Sequence, residues 1–201
     1  SQIDVLCNGT NNGSITVTPN GGTPGYTYSK NGGITWQASN TFINLSPATY
    51  TIRVKDSQGC LSANQPVTII QPLQPLSMPT ETKDDSQNKC NGDANDTITI
   101  GASGGTSPYE YSINNGATYT AATASTSYTF SNLGAGTFPT KIRDANGCTK
   151  TGSNLIIADP ALIAISLTIG EVTTCFNDPS GFILAEGTGG TGTLQYTITG
   201  A

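Results

Sequence analysis

A chain that repeats itself folds as a series of similar bodies, and this one repeats with a period of 83 residues from Cys7 to Cys90 and 85 from Cys90 to Cys175. The first copy runs Cys7-Asn8-Gly9, Gly13-Ser14-Ile15-Thr16-Val17, Gly21-Gly22-Thr23, Tyr26-Thr27-Tyr28-Ser29. The second, aligned without a gap, runs Cys90-Asn91-Gly92, Asp96-Thr97-Ile98-Thr99-Ile100, Gly104-Gly105-Thr106, Tyr109-Glu110-Tyr111-Ser112. A third begins with Cys175 and continues through Gly181-Phe182-Ile183-Leu184, Gly189-Gly190-Thr191 and Leu194-Gln195-Tyr196. The later half repeats too. Asn44-Leu45-Ser46-Pro47-Ala48-Thr49-Tyr50 leads to Asp56-Ser57-Gln58-Gly59-Cys60, and Asn132-Leu133-Gly134-Ala135-Gly136-Thr137-Phe138 leads to Asp144-Ala145-Asn146-Gly147-Cys148. The extra residues of the second copy fall in an Ala/Thr/Ser-rich stretch, 121–127, as expected of a surface loop.

Each unit reads as β-structure. Residues 14–18 and 97–101 are β-rich, Tyr26/Tyr28 and Tyr109/Tyr111 alternate with polar residues, and Tyr50, Ile52 and Val54 alternate with Thr51, Arg53 and Lys55. Val67-Thr68-Ile69-Ile70 and Leu155-Ile156-Ile157 close the units. Asn-Gly pairs at 12–13, 20–21, 31–32, 115–116 and 146–147 supply turns. Short strands with a turn every 8–12 residues predict an antiparallel β-sandwich of immunoglobulin-like type. Gln71-Pro72 and Asp159-Pro160 end the closing strands, which predicts repeats at 1–72 and 73–160 and the start of a third at 161–201, stacked as an extended rod. The start at Ser1 without an initiator Met, and the stop inside a strand-like pattern, read as cuts in a longer chain.

The five cysteines fit this frame. Cys7 and Cys60 bracket the first unit and Cys90 and Cys148 the second, which predicts one disulfide inside each repeat, with the partner of Cys175 past residue 201. Zinc would need close Cys pairs, usually with His, and the chain has neither. The other alternative is buried, reduced thiols. Oxidised cysteines imply an extracellular or periplasmic setting.

Composition narrows function. Charged residues make up 10% and the net charge is −5, so a basic nucleic-acid face is not expected. The most apolar stretch, 161–169, is broken by Ser166 and Thr168 and is too short to span a membrane, so no membrane insertion is expected. With no His, no Gly-x-Ser-x-Gly elbow and no phosphate loop, the chain is not expected to be an enzyme.

The ordered pattern Cys-Asn-Gly, Gly-Gly-Thr, Tyr-x-Tyr-Ser, Asn-Leu-x-x-x-Thr-Tyr and Asp-x-x-Gly-Cys resembles the SprB repeat of very long surface adhesins of gliding Bacteroidetes. The resemblance covers both complete copies and the opening of the third. Phe176-Asn177 and Asp96 depart from it where Asn-Gly and Gly13 stand in the first copy. It implies type IX secretion, display on the outer surface, movement by the gliding motor, and adhesion to polysaccharide or solid substrata. The alternatives are a passive spacer for a distal domain and a carbohydrate-binding module of a secreted protein.

Candidate sites are few. Trp36 and Tyr119 share one repeat position and could stack on sugar rings; the other reading is core or hairpin packing. Asp56 and Asp144 are expected to accept backbone N–H bonds in their turns; the other reading is a calcium role. Asp84, Asp85, Asp93 and Asp96 surround Cys90, and calcium is the only cofactor they suggest; the other reading is a solvated loop. Sequons at Asn8, Asn12, Asn44 and Asn95 arise readily from Asn-rich turns, and Asp96-Thr97-Ile98 looks like the Bacteroidetes O-glycosylation motif. The expected partners are neighbouring repeats.

Overall fold

The computed structural model describes residues 1–170 and 181–199; Cys175 lies outside them. The described chain is all β. In the first repeat β1 (Gln2–Ile3), β2 (Gly13–Thr16) and β4 (Thr41–Leu45) form one antiparallel sheet, ordered β1-β2-β4. A second sheet is ordered β3-β5-β6, from β3 (Thr27–Ser29), β5 (Ala48–Lys55) and β6 (Gln65–Ile69). The second repeat reproduces both. Its first sheet is β7 (Glu81–Asp84), β8 (Asp96–Gly101) and β10 (Ser127–Leu133) with β8 central. Its second is β9 (Tyr109–Ser112), β11 (Gly136–Asp144) and β12 (Thr149–Ile157) with β11 central. The third has one described hairpin, β13 (Ala164–Gly170) with β14 (Phe182–Thr188).

Each of the first two repeats has a core built from both of its sheets. Ile15, Phe42 and Leu45 from one sheet meet Tyr28, Ile52 and Ile69 from the other, with Tyr50 and Val54 packed alongside. In the second repeat Ile98 and Ile100 meet Tyr109, Tyr111, Ile142 and Ile157. Side chains alternate across a strand, so β8 buries Asp96, Ile98 and Ile100 while Thr97 and Thr99 turn outward. A sheet with one apolar face has to cover it, and the partner sheet does so.

The Asn-Leu motif has a local cause. Asn44 and Asn132 adopt φ of 56° and 58°, in the left-handed region that Asn tolerates better than most residues. The register shifts there, between Gly13 and Ile15 in one pair and Phe130 and Leu133 in the other. The extra residue lets Phe42 and Leu45, three positions apart, both face inward. Pro139 lies at a similar shift in β11, where its missing N–H disturbs the ladder least.

Four of the Asn-Gly pairs carry glycine at positive φ as expected. Asn12-Gly13 does not form a turn. Gly13 opens β2 with ordinary φ, and a Cβ there would press on Ile69 and the Leu45 carbonyl, so the glycine serves close packing. The stretch preceding β10 is an exposed loop, as its composition suggested.

Candidate functional site: the junction between repeats

The opening Cys-Asn-Gly turn sits where the chain leaves its repeat. Asn8 Nδ2 donates to the Pro72 carbonyl at 2.8 Å and the Gly9 N–H donates to Gln71 Oε1 at 2.8 Å. In the second repeat Asn91 Nδ2 donates to the Pro160 carbonyl at 2.9 Å and to Asp159 Oδ2 at 3.0 Å, while the Gly92 N–H donates to Asp159 Oδ1.

The closing turn sits at the other end, where the chain enters. Asp144, 3% exposed, accepts three backbone N–H bonds: from Asn146 at 3.0 Å and Cys148 at 2.9 Å on Oδ1, and from Thr106 at 2.9 Å on Oδ2. Asp56 does the same with Gln58, Cys60 and Thr23. Those bonds, Thr23 first and then Cys60, hold the Asp56 carboxyl below its ordinary value of 3.8. The carboxylates thus fasten Asp-x-x-Gly-Cys to Gly-Gly-Thr. Glycine is required in that motif because the entering chain crosses it. A Cβ on Gly104, at φ +68°, would collide with the Pro75 carbonyl, and one on Gly189 with the Leu162 carbonyl.

These placements overturn the expected disulfides. Cys7 is bonded to Cys148 of the next repeat, with Cα atoms 5.7 Å apart, and Cys60 and Cys90 are free and exposed. The reason is strand length. The Cys7 turn lies at the end of β5 where Ala48 pairs with Ile69, and the Cys60 turn at the end where Lys55 pairs with Leu61. Eight residues of strand separate those ends, about 23 Å at ~3.3 Å per residue. A disulfide needs Cα atoms within roughly 7 Å. Cys90 and Cys148 are held apart in the same way by the nine residues of β11. The Leu6 carbonyl joins the contact, accepting from Asn146 Nδ2 at 2.9 Å, and Asn146 Nδ2 also reaches Thr106 Oγ1 at 3.0 Å. The junction between the repeats is therefore covalent, with a polar seam beside the sulfurs.

The aromatic candidates pack against their own repeat. Lys55 Nζ lies 4.8 Å from the Trp36 ring centroid and the Arg143 guanidinium 4.3 Å from that of Tyr119. A Cβ on Gly33 would lie 3.2 Å from Trp36 Cζ2, and one on Gly116 2.6 Å from Tyr119 Oη. Each half-buried ring is thus wedged between a hairpin glycine and a cation of the central strand. Glu110 pairs with Arg143 at 2.6 Å and raises its pKa.

The four aspartates near Cys90 are used separately. Asp84 accepts from Ser86, Asp85 pairs with Lys83, and Asp93 accepts the N–H groups of Lys89 and Cys90. Buried Asp96 accepts the N–H groups of Gln87 and Asn88 at 2.9 and 3.0 Å. Hydrogen bonds to Ser86 and Lys83 hold the Asp84 and Asp85 carboxyls below their ordinary value. Among the described residues no group of three or more His, Cys, Asp or Glu side chains comes together. Among them, too, no helix is long and apolar enough to cross a membrane.

Fold and junction define a tandem all-β repeat protein whose units are joined through sulfur. The SprB repeat model matches the chain twice, over residues 1–35 and 82–118. Such repeats occur in cell-surface proteins. No curated protein matches the chain.

Proposed function

We propose that this chain is a non-catalytic repeat segment of a large cell-surface adhesin filament, lying outside the cell and taking part in contact with polysaccharide or solid substrata. The observation that carries the reading is the pair of SprB matches on units joined covalently at their junction. A series of sandwiches of immunoglobulin-like type with stapled joints suits a protein that must reach outward under load. Weak contacts repeated along such an array add up through effective concentration. Passage through type IX secretion and work in gliding belong to the same reading, and it calls for no cofactor. Partners are neighbouring repeats and the surface met by the filament.

Antibodies raised against the folded, oxidised chain test it. The expected result is labelling of intact cells, lost after brief protease shaving, and reduced attachment of antibody-treated cells to polysaccharide-coated glass. Labelling only after permeabilisation overturns the location. Labelled cells whose attachment is unchanged overturn the adhesive role.

A further inference from the structure

We infer that the disulfides of this chain run in a staggered series: the opening cysteine of each repeat bonds the closing cysteine of the repeat after it. Cys90 is then the thiol for the closing turn of the third repeat. Cys60 is the thiol for the opening turn of any repeat docked ahead of the first. The inference stands whether or not the surface is adhesive.

Cys7–Cys148 fixes the register. Cys90 occupies the repeat position of Cys7, and Cys60 that of Cys148. Both are free and exposed, and the length of the central strand keeps each from a partner in its own repeat.

The junction between the second and third repeats repeats the first one independently of any sulfur. Thr191 Oγ1 donates to the Lys89 carbonyl at 2.8 Å. Lys89 precedes Cys90 as Leu6 precedes Cys7, and Thr191 is the counterpart of Thr106, the residue linked through Asn146 to the Leu6 carbonyl. The entering chain is held alike: the Gly190 N–H donates to the Ala161 carbonyl at 2.8 Å, as that of Gly105 does to Gln74 at 2.9 Å. The third repeat thus already presents its Gly-Gly-Thr edge to the Cys90 turn. In the second repeat, that edge is bonded through Asp144 to the closing turn.

The other half shows at Cys60. A groove beside it is lined by Pro19, Asn20, Gly21, Gly22, Tyr26 and Leu61. Its counterpart in the second repeat is covered by the entering residues Gln74, Pro75, Ser77 and Thr80, with Leu6 and Cys7 at its Cys148 end. Cys60 stands where Cys148 receives Cys7, so the partner it takes is the opening cysteine of another repeat.

Bond formation takes two exchanges with a disulfide donor, such as an oxidised thiol–disulfide oxidoreductase or oxidised glutathione. One cysteine thiolate attacks the donor and releases one donor thiolate, leaving a mixed disulfide. The second cysteine thiolate attacks that mixed disulfide and releases the other. The donor is reduced by two electrons and the cysteine pair is oxidised by two.

Peptide mapping without reduction, after alkylation in a glutathione redox buffer, tests the series. In the chain as it stands the expected result is Cys7 linked to Cys148, with Cys60 and Cys90 alkylated. With residues 117–160 appended after Ala201 to complete the third repeat, Cys90 should lose its alkylation and appear linked to the appended copy of Cys148. A chain with residues 73–160 duplicated after Pro160 guards against misfolding of that hybrid, since both of its later units are sequences already seen folded. There Cys90 of the first copy should join the closing cysteine of the second. Cys90 linked to the Cys148 of its own copy, Cys7 linked to Cys60, or Cys90 still alkylated in the folded duplicate would each overturn the inference.

Discussion

Pulling on the ends of the chain distinguishes the observed disulfide from the one expected within each repeat. Force enters at the termini, and Cys7–Cys148 carries it past everything between those residues. The bond spans 141 residues of sequence. At ~3.4 Å per extended residue it withholds about 480 Å of contour length. In single-molecule force spectroscopy the oxidised chain should therefore release no more of the first two repeats than β1 and β12, which lie outside the loop. Adding reductant under load, or replacing Cys7 by Ser, should release the two repeats as separate steps that together account for that length. Bonds inside each repeat would each withhold less than half as much and leave a partial step from every repeat. A partial step in the oxidised chain longer than β1 or β12 can supply would refute the reasoning. The same loop closure implies stabilisation of about 5 kcal/mol in the chain-entropy view, so the Cys7→Ser chain should also melt earlier in calorimetry.

Asp144→Ala removes the acceptor of three backbone N–H groups at a buried site, and should cost the second repeat about 3 kcal/mol in urea unfolding; a loss under 1 kcal/mol would mean water replaces the carboxylate freely. Asp56 has a depressed pKa in the folded state, so its contribution is fully present above the unfolded value and lost as pH falls through the lower folded one. Acid titration of the first repeat should show this loss below about pH 4, and Asp56→Asn should flatten that limb while lowering stability at pH 7. A double-mutant cycle on Tyr119→Leu and Arg143→Met should give a coupling of about 0.5–1 kcal/mol. A value near zero would mean the stacked cation contributes nothing.

The repeat made the fold legible. Apolar alternation at Tyr50, Ile52 and Val54 placed the central strand, and the exposed loop before β10 followed from its composition. The turn role of Asp56 and Asp144 was legible too, because a short carboxylate beside a Gly-Cys turn has nearby N–H groups to bind. Cysteine pairing was not. Four cysteines allow three connectivities, and a repeat period is unchanged when every bond shifts by one unit. What decides is the length of β5 and β11, which becomes a distance only once strand direction is known. The outward face of Trp36 and Tyr119 was equally hidden, since the cations covering them lie in a distant strand and no local pattern links the two.

A sulfur link that skips over nearly a whole pair of repeats also changes what backbone scission does. Any one peptide bond cut between residues 8 and 147 lies inside the loop closed by Cys7 and Cys148, so the two pieces remain one molecule. The exposed loop before β10 and the exposed Lys89 are natural places for such a cut. A nicked chain should run as a single band on a denaturing gel and fall into two only when thiol is added. Damage that would sever a plain string of domains is here survived until the redox state of the surroundings changes.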